Sequence, residues 1–299
     1  PLAWLSGAAA LIALIVISAV LAATGPLGRE LVRDQLDGRQ IAGFGVLEVG
    51  AVRGNVLRRF SIDTLALRTE DGVWLSVDDL SVRWDAAALL TRRIEVEALS
   101  LARADVLRRP ERAPTQGGGG SFSWDVNLSD AAIETLHLAE GVAGPHAAYA
   151  LTAGFGRING AWDGRLNAER LDAAGDTIDA RFEYGDTLSV DARLQAAPGG
   201  PLANLLRAGD VGADAVIEAS GGLDAGSGEA VLDVGGAQAL RFTAQWSPDM
   251  LTAQGRVTPA RWAQFARLET LLGGPADLAL ELPLAGGLSA PQIESASIR

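Results

Sequence analysis

A six-residue pattern returns four times along the chain: Ile or Val, two residues, Leu, one residue, then Leu or Val. It reads IDTLAL at 62–67, VDDLSV at 77–82, VEALSL at 96–101 and IETLHL at 133–138. The copies begin 15, 19 and 37 residues apart, so the last gap is about two of the others. Between the apolar residues stand mostly Asp, Glu, Ser, Thr, Ala or His. Alternation of period two gives an extended strand one polar and one apolar face. A step of three followed by a step of two flips that face once, unless a β-bulge absorbs the odd residue. Recurrence every 15–20 residues is what stacked β-hairpins or coils leave in a sequence. Leu65 and Leu67, Leu80 and Val82, Leu99 and Leu101, and Leu136 and Leu138 are each two apart, so they are expected to line one apolar surface. The pattern predicts a mainly β chain with a long amphipathic surface. If that surface is open, Val82→Leu is expected to be harmless.

Turn-forming residues divide the rest. Strands are expected over 41–53, 56–69, 73–84 and 94–107, with a hairpin turn at Glu70-Asp71-Gly72. The stretch DAAALLTRR at 85–93 is long enough for two and a half helical turns. Residues 111–121 lie in a run of Pro, polar residues and four glycines, a flexible linker by composition. Beyond it, 122–299 reads as further short strands with Gly-Asp, Asp-Gly and Gly-Gly turns and two short helices, at 201–210 and 260–274. An alternating pattern restarts at 278 and breaks off at Arg299, so the chain is expected to continue in a longer parent.

The N-terminal stretch changes where this surface belongs. Residues 1–28 carry no charge, and Leu2 to Ala23 is almost wholly Leu, Ile, Val, Ala, Trp and Gly. Twenty-two helical residues span about 33 Å, against a hydrocarbon core of about 30 Å. Residues 1–25 are therefore read as a transmembrane anchor, with Leu2, Trp4, Leu11, Ile15, Val20 and Leu21 facing lipid. A cleaved signal peptide, with an apolar core of about 7–15 residues, is the competing reading. Residues 26–40 are expected to continue as an amphipathic helix that Gly38 ends, and 41–110 to hold the first β-repeats.

Charge and composition narrow the partners. All 25 basic residues are Arg. Arg against Asp plus Glu counts 14 to 14 through residue 112 and 11 to 23 beyond it, which places the net charge of −12 in the second part. That balance argues against nucleic acid and against adhesion of that part to an anionic bilayer. The chain has no cysteine, which excludes disulfides and thiolate metal sites.

No catalytic constellation stands out. His137 and His146 are nine apart with no third ligand nearby, and His137 falls on the polar phase of its repeat. GFGRING at 154–160 lacks the strand–helix context of a nucleotide loop and is better read as turn glycines. GGLDAGSGEAVLDVGG at 221–236 lacks the register of calcium-binding nonapeptides. Asp78-Asp79 are strand neighbours pointing to opposite faces, which suits a solvated edge better than an acid–base dyad. The chain is expected to have no catalytic residue, no metal and no cofactor.

Residues 45–106 also resemble a known family. Gly54 before an apolar strand, the strand pair around Asp71-Gly72, Trp84 closing it, Leu89-Leu90 in the insert, and Leu99 and Leu101 after it look like the start of a TamB protein, within the AsmA-like bacterial envelope group. LAGGLSAPQIESASIR at 284–299 resembles that family's later repeats. The resemblance implies a single-pass inner-membrane protein with its bulk in the periplasm. Its fold would be an elongated, incompletely closed β-taco with an apolar interior and a few short helices. It further implies a role in phospholipid movement between the membranes, with a TamA-like outer-membrane barrel as partner through a region absent from this sequence.

Two functions follow as expectations. In one, Leu65, Leu67, Leu80, Val82, Leu99, Leu101, Leu136 and Leu138 form a groove for acyl chains, each buried methylene contributing about 0.8 kcal/mol. In the other, open sheet edges pair with unfolded outer-membrane strands as part of a translocation and assembly module. A closed β-sandwich is the plain alternative to both.

Overall fold

In the computed structural model, residues 37–41, 44–109, 124–258, 274–283 and 297–298 are described. The expected anchor at 1–25, with Leu2, Trp4, Leu11, Ile15, Val20 and Leu21, lies outside them, as do the linker at 111–121 and most of the segments at 26–40 and 260–274. No helix among the described residues is long and apolar enough to cross a membrane. These residues are mainly β, in mostly antiparallel ladders with few and short helices. They form two compact units, one reaching Val142 and including His146–Ile158, the other comprising Ala143–Pro145 and the residues from Asn159 onward.

Unit one contains β1 (Gln40–Ile41), β2 (Gly45–Val49), β3 (Val52–Asn55), β4 (Arg59–Thr69), β5 (Gly72–Asp85), β6 (Arg93–Val106), β7 (Asp125–Leu138) and β8 (Ala147–Ile158). The expected strand at 41–53 is thus three short pieces: β1 pairs with β2, while β2 and β3 both pair with β4. The hairpin at 70–72 forms as expected between β4 and β5, with Gly72 at φ 111°. Arg108 clamps it, donating to the Asp71 carbonyl at 2.6 Å, to Thr69 Oγ1 at 2.9 Å and to the Gly72 carbonyl. The 85–93 insert is a 3-10 turn, Ala86–Thr91, held at its start by Asp85 Oδ1 accepting from the Ala87 N–H at 2.9 Å. β6 and β7 pair in parallel, which the 111–121 linker between them permits. That linker joins neighbouring strands of one unit.

The step of three does not flip the apolar face. Ile62 stands opposite Leu80 and Leu65 opposite Val77, so the two steps meet each other across the β4–β5 ladder. Asp79, at φ 52°, drops out of pairing with both neighbours. The same irregularity continues, with Val77 opposite Ala104 and Leu80 opposite Leu101, then Leu101 beside Ile133 and Ala104 beside Leu136. At β8 it ends, because the β7–β8 register shifts at both of β7's irregular steps and β8 keeps plain pairing. A line of irregularity crossing four strands therefore keeps every apolar pair on one side.

Unit two is a meander: β9 (Ala161–Arg170), β10 (Thr177–Tyr184), β11 (Thr187–Ala196), β12 (Ala213–Gly222), β13 (Gly226–Val234), β14 (Ala237–Trp246), β15 (Met250–Val257), β16 (Ala276–Pro283) and β17 (Ser297–Ile298). Each pairs antiparallel with the next. Between β11 and β12 lies α1 (Pro201–Leu205), shorter than the helix expected over 201–210. Pro201 at its first position fits a site whose N–H has no helical partner.

Candidate functional site

Four strands of unit one place the expected groove leucines together, and they are buried. Leu65, Leu67, Leu80, Val82, Leu99, Leu101 and Leu138 are all buried, with Leu67 at 0 % exposure, and Leu136 is half-buried. Phe60, Ile62, Ile94 and Val96 share their face. Trp84 closes it, its indole N–H donating to the Val56 carbonyl at 2.7 Å, so a buried donor is satisfied. One face for all eight is as expected. Seven of them, however, present no surface to a ligand in this conformation.

The accessible apolar surface is in unit two, where the repeat pattern had not directed attention. One row of ladder pairs runs Leu166, Ala180, Ala192, Ile217, Ala230, Phe242, Gly255, Leu278 across β9 to β16. Eight strands at about 4.8 Å spacing span about 34 Å, close to the thickness of a bilayer's hydrocarbon. The next row carries Gly164, Phe182, Val190, Ala219, Gly228, Ala244, Ala253 and Leu280. Neither row contains a charged side chain. Phe182 and Ile217 remain 39 % and 47 % exposed, and Trp162, paired with Tyr184 one step further on, 38 %.

One end of this face is closed. α1 buries Pro201, Leu202 and Ala203, and Leu202 and Ala203 pack with Ala196, Ala213, Leu232, Val234 and Ala239. Asp176 sets that closure. It is fully buried, accepts from the Ala197 N–H at 2.6 Å and faces Arg170 Nη1 at 3.5 Å, a buried carboxylate that is both paired and hydrogen-bonded. A Cβ on Gly200 would meet both Asp176 carboxylate oxygens at 2.9 Å, so glycine is required before the helix. Away from α1 the inner face opens.

The outer face has the opposite chemistry. Arg193 holds Asp191 at 2.6 Å and Glu218 at 2.9 Å, Arg241 holds Glu229 at 2.6 Å, and Arg256 holds Asp277 at 2.9 Å. Such exposed pairs contribute about 0.2–1 kcal/mol each, so they mark solubility and register more than stability. In unit one the Arg68 guanidinium donates to Glu48 at 2.5 Å, and that hydrogen bond holds the Glu48 carboxyl below its ordinary range.

Other candidates resolve plainly. His137 and His146 come together, with ring centroids 5.7 Å apart, which the sequence spacing did not reveal. Among the described residues no three His, Asp or Glu side chains form a group able to hold a metal ion. Asn159 and Gly160, both at positive φ (52° and 86°), are turn residues after β8, so the glycines of 154–160 belong to strand and turn. Asp78 pairs opposite Thr64, while Asp79, exposed and at φ 52°, is out of the ladder, so the two are not the plainly alternating strand neighbours expected from the sequence.

Fold and site together define a class: mostly antiparallel β-units, each with one apolar face, which in the second carries no charge along its central rows and is partly exposed. No family model, curated protein or solved structure matches this chain.

Proposed function

We propose that the chain is a carrier of lipid acyl chains of the TamB and AsmA-like kind, anchored in the bacterial inner membrane by residues 1–25 and working in the periplasm. In this reading the inner faces act as an open β-taco along which hydrocarbon moves, with a TamA-like outer-membrane barrel as partner. Nucleic acid and catalysis have no part in it.

The observation that carries the reading is the uncharged inner face of unit two, exposed at Ile217, Phe182 and Trp162. Water gains nothing from such a surface, whereas an acyl chain buries apolar area there at about 25 cal/mol per Å². A row of Leu, Ala, Ile, Phe and Gly offers no polar group that would hold a headgroup or arrest a sliding chain. The buried leucines of unit one serve in this account as structural core.

Phospholipid that copurifies with the intact chain tests the proposal. Wild-type protein is expected to carry phospholipid, and Ile217→Asp, at an exposed position that tolerates a carboxylate, to carry several-fold less while keeping its β circular dichroism. Equal lipid in the two proteins would remove the inner face from the function and favour the assembly scaffold.

A further inference from the structure

The end of unit one that holds the β3–β4 turn carries two exposed leucines among unpaired arginines. Leu57 is 50 % exposed in that turn, and Leu90 is 89 % exposed in the 3-10 turn Ala86–Thr91, which buries none of its residues. The two turns are neighbours. The Trp84 N–H donates to the Arg58 carbonyl at 3.0 Å, its indole donates to the Val56 carbonyl, and the next residue, Asp85, caps the 3-10 turn. Neither leucine is buried by its own turn, and the two lie exposed on turns that Trp84 and Asp85 link.

The charges beside them differ from those on the sheet. On the strands of unit one, Arg53, Arg68, Arg83 and Arg103 each hold a carboxylate: Asp63, Glu48, Glu97 and Asp105. Arg58, Arg59 and Arg92 flank the leucines, are exposed, and make no ion pair among the described residues. Arg93 stands 3.9 Å from Asp125, with its Nε buried and unpartnered. Of the acidic groups at this end only Asp125 faces an arginine; Asp85 and Glu95 keep their charge on neutral partners, an N–H and the Asn127 amide, so the four arginines Arg58, Arg59, Arg92 and Arg93 exceed the three carboxylates by one. A net positive rim around exposed leucines is complementary to anionic headgroups over hydrocarbon.

We infer that this end of unit one docks on an anionic bilayer surface, Leu57 and Leu90 entering the headgroup boundary while Arg58, Arg59 and Arg92 meet lipid phosphates. The surface belongs to unit one and needs no occupant on the inner face of unit two, so it stands or falls separately from lipid carriage.

The chain has no cysteine, so a single introduced thiol can be labelled uniquely. Full-length protein with an environment-sensitive fluorophore at Leu57→Cys, Leu90→Cys or, on the outer face of β6, Ser100→Cys is reconstituted into vesicles of phosphatidylcholine with or without phosphatidylglycerol. At Leu57→Cys and Leu90→Cys the emission is expected to shift to the blue and be quenched by doxyl lipids in the phosphatidylglycerol vesicles, but not in neutral ones or at high salt. The Ser100→Cys label should not respond. Each of Arg58→Gln, Arg59→Gln and Arg92→Gln is expected to weaken docking of the Leu90→Cys protein by about fivefold. Leu57→Ser in that protein should weaken it by roughly tenfold. The inference is overturned by no shift in anionic vesicles, by an equal shift in neutral ones, or by a shift in detergent alone that grows with protein concentration, which would assign this end to a second copy of the chain. These exposed substitutions are expected to leave the sheet intact, which circular dichroism checks.

Discussion

Trp246 lies over Gly226 in the paired position of the neighbouring strand, and its indole N–H donates to the Gly222 carbonyl at 2.8 Å. The ring occupies the space that a Cβ on residue 226 would need, with the Ser220 carbonyl closing the other side at 2.7 Å. Phe182 stands in the same relation to Gly164, and Phe242 to Gly255. Glycine in these strands provides seats for aromatic rings on the inner face.

Gly226→Ala is therefore expected to cost about 1–3 kcal/mol through overpacking and loss of the indole hydrogen bond. Urea unfolding of the two proteins measures it. An unchanged midpoint would mean that the ring moves aside freely.

Val82 decides how unit one is built. It is buried opposite Phe60 and Leu99. Val82→Asp should cost several kcal/mol as a buried unpaired charge and prevent stable folding. Val82→Leu should cost about 1–3 kcal/mol because the added methylene finds no space. A Val82→Leu protein as stable as wild type, by thermal or urea unfolding, would mean the face is open there.

Glu48 supplies a pH signature. Its carboxyl is held below the ordinary value of 4.5 chiefly by the hydrogen bond from Arg68, so its contribution to stability is present above 4.5 and disappears as pH falls through the depressed folded value. Arg68→Gln should bring the Glu48 titration, followed by NMR, back toward 4.5, and should lower stability at pH 7 more than under strongly acid conditions. Both groups are about half exposed, so the effect is small and shrinks further with salt. Identical titration curves would break the assignment.

Much of unit one was legible in its residues. The apolar steps of IDTLAL, VDDLSV and VEALSL located β4, β5 and β6, and Asp71-Gly72 located their first turn. What those residues did not reveal was depth. Leucines at such spacing look alike whether they line a groove or fill a core, because burial depends on how the whole sheet closes over them. Nor does local spacing disclose that Ile62–Leu65 would meet Val77–Leu80, since register is a property of the pair. Unit two was obscured by its composition. Ala192, Ala219, Gly228 and Gly255 occupy inner positions that weaken hydrophobic contrast, although TIDARFEY and TLSVDARLQA do alternate. Asp176 gave no warning of its burial, which comes from a loop 21 residues away in sequence.

The central claim is that acyl chains lie on the inner face of unit two and not on the outer. Photo-crosslinkers at Phe182 or Ile217 on one face, and at Arg181 or Glu218 on the other, differ by a single residue along their strands and so compare two faces of one sheet in living cells. Phospholipid captured at Phe182 and Ile217, with none at Arg181 and Glu218, is the result this account predicts; equal capture on both faces, or capture on neither by protein present at normal levels, would contradict it.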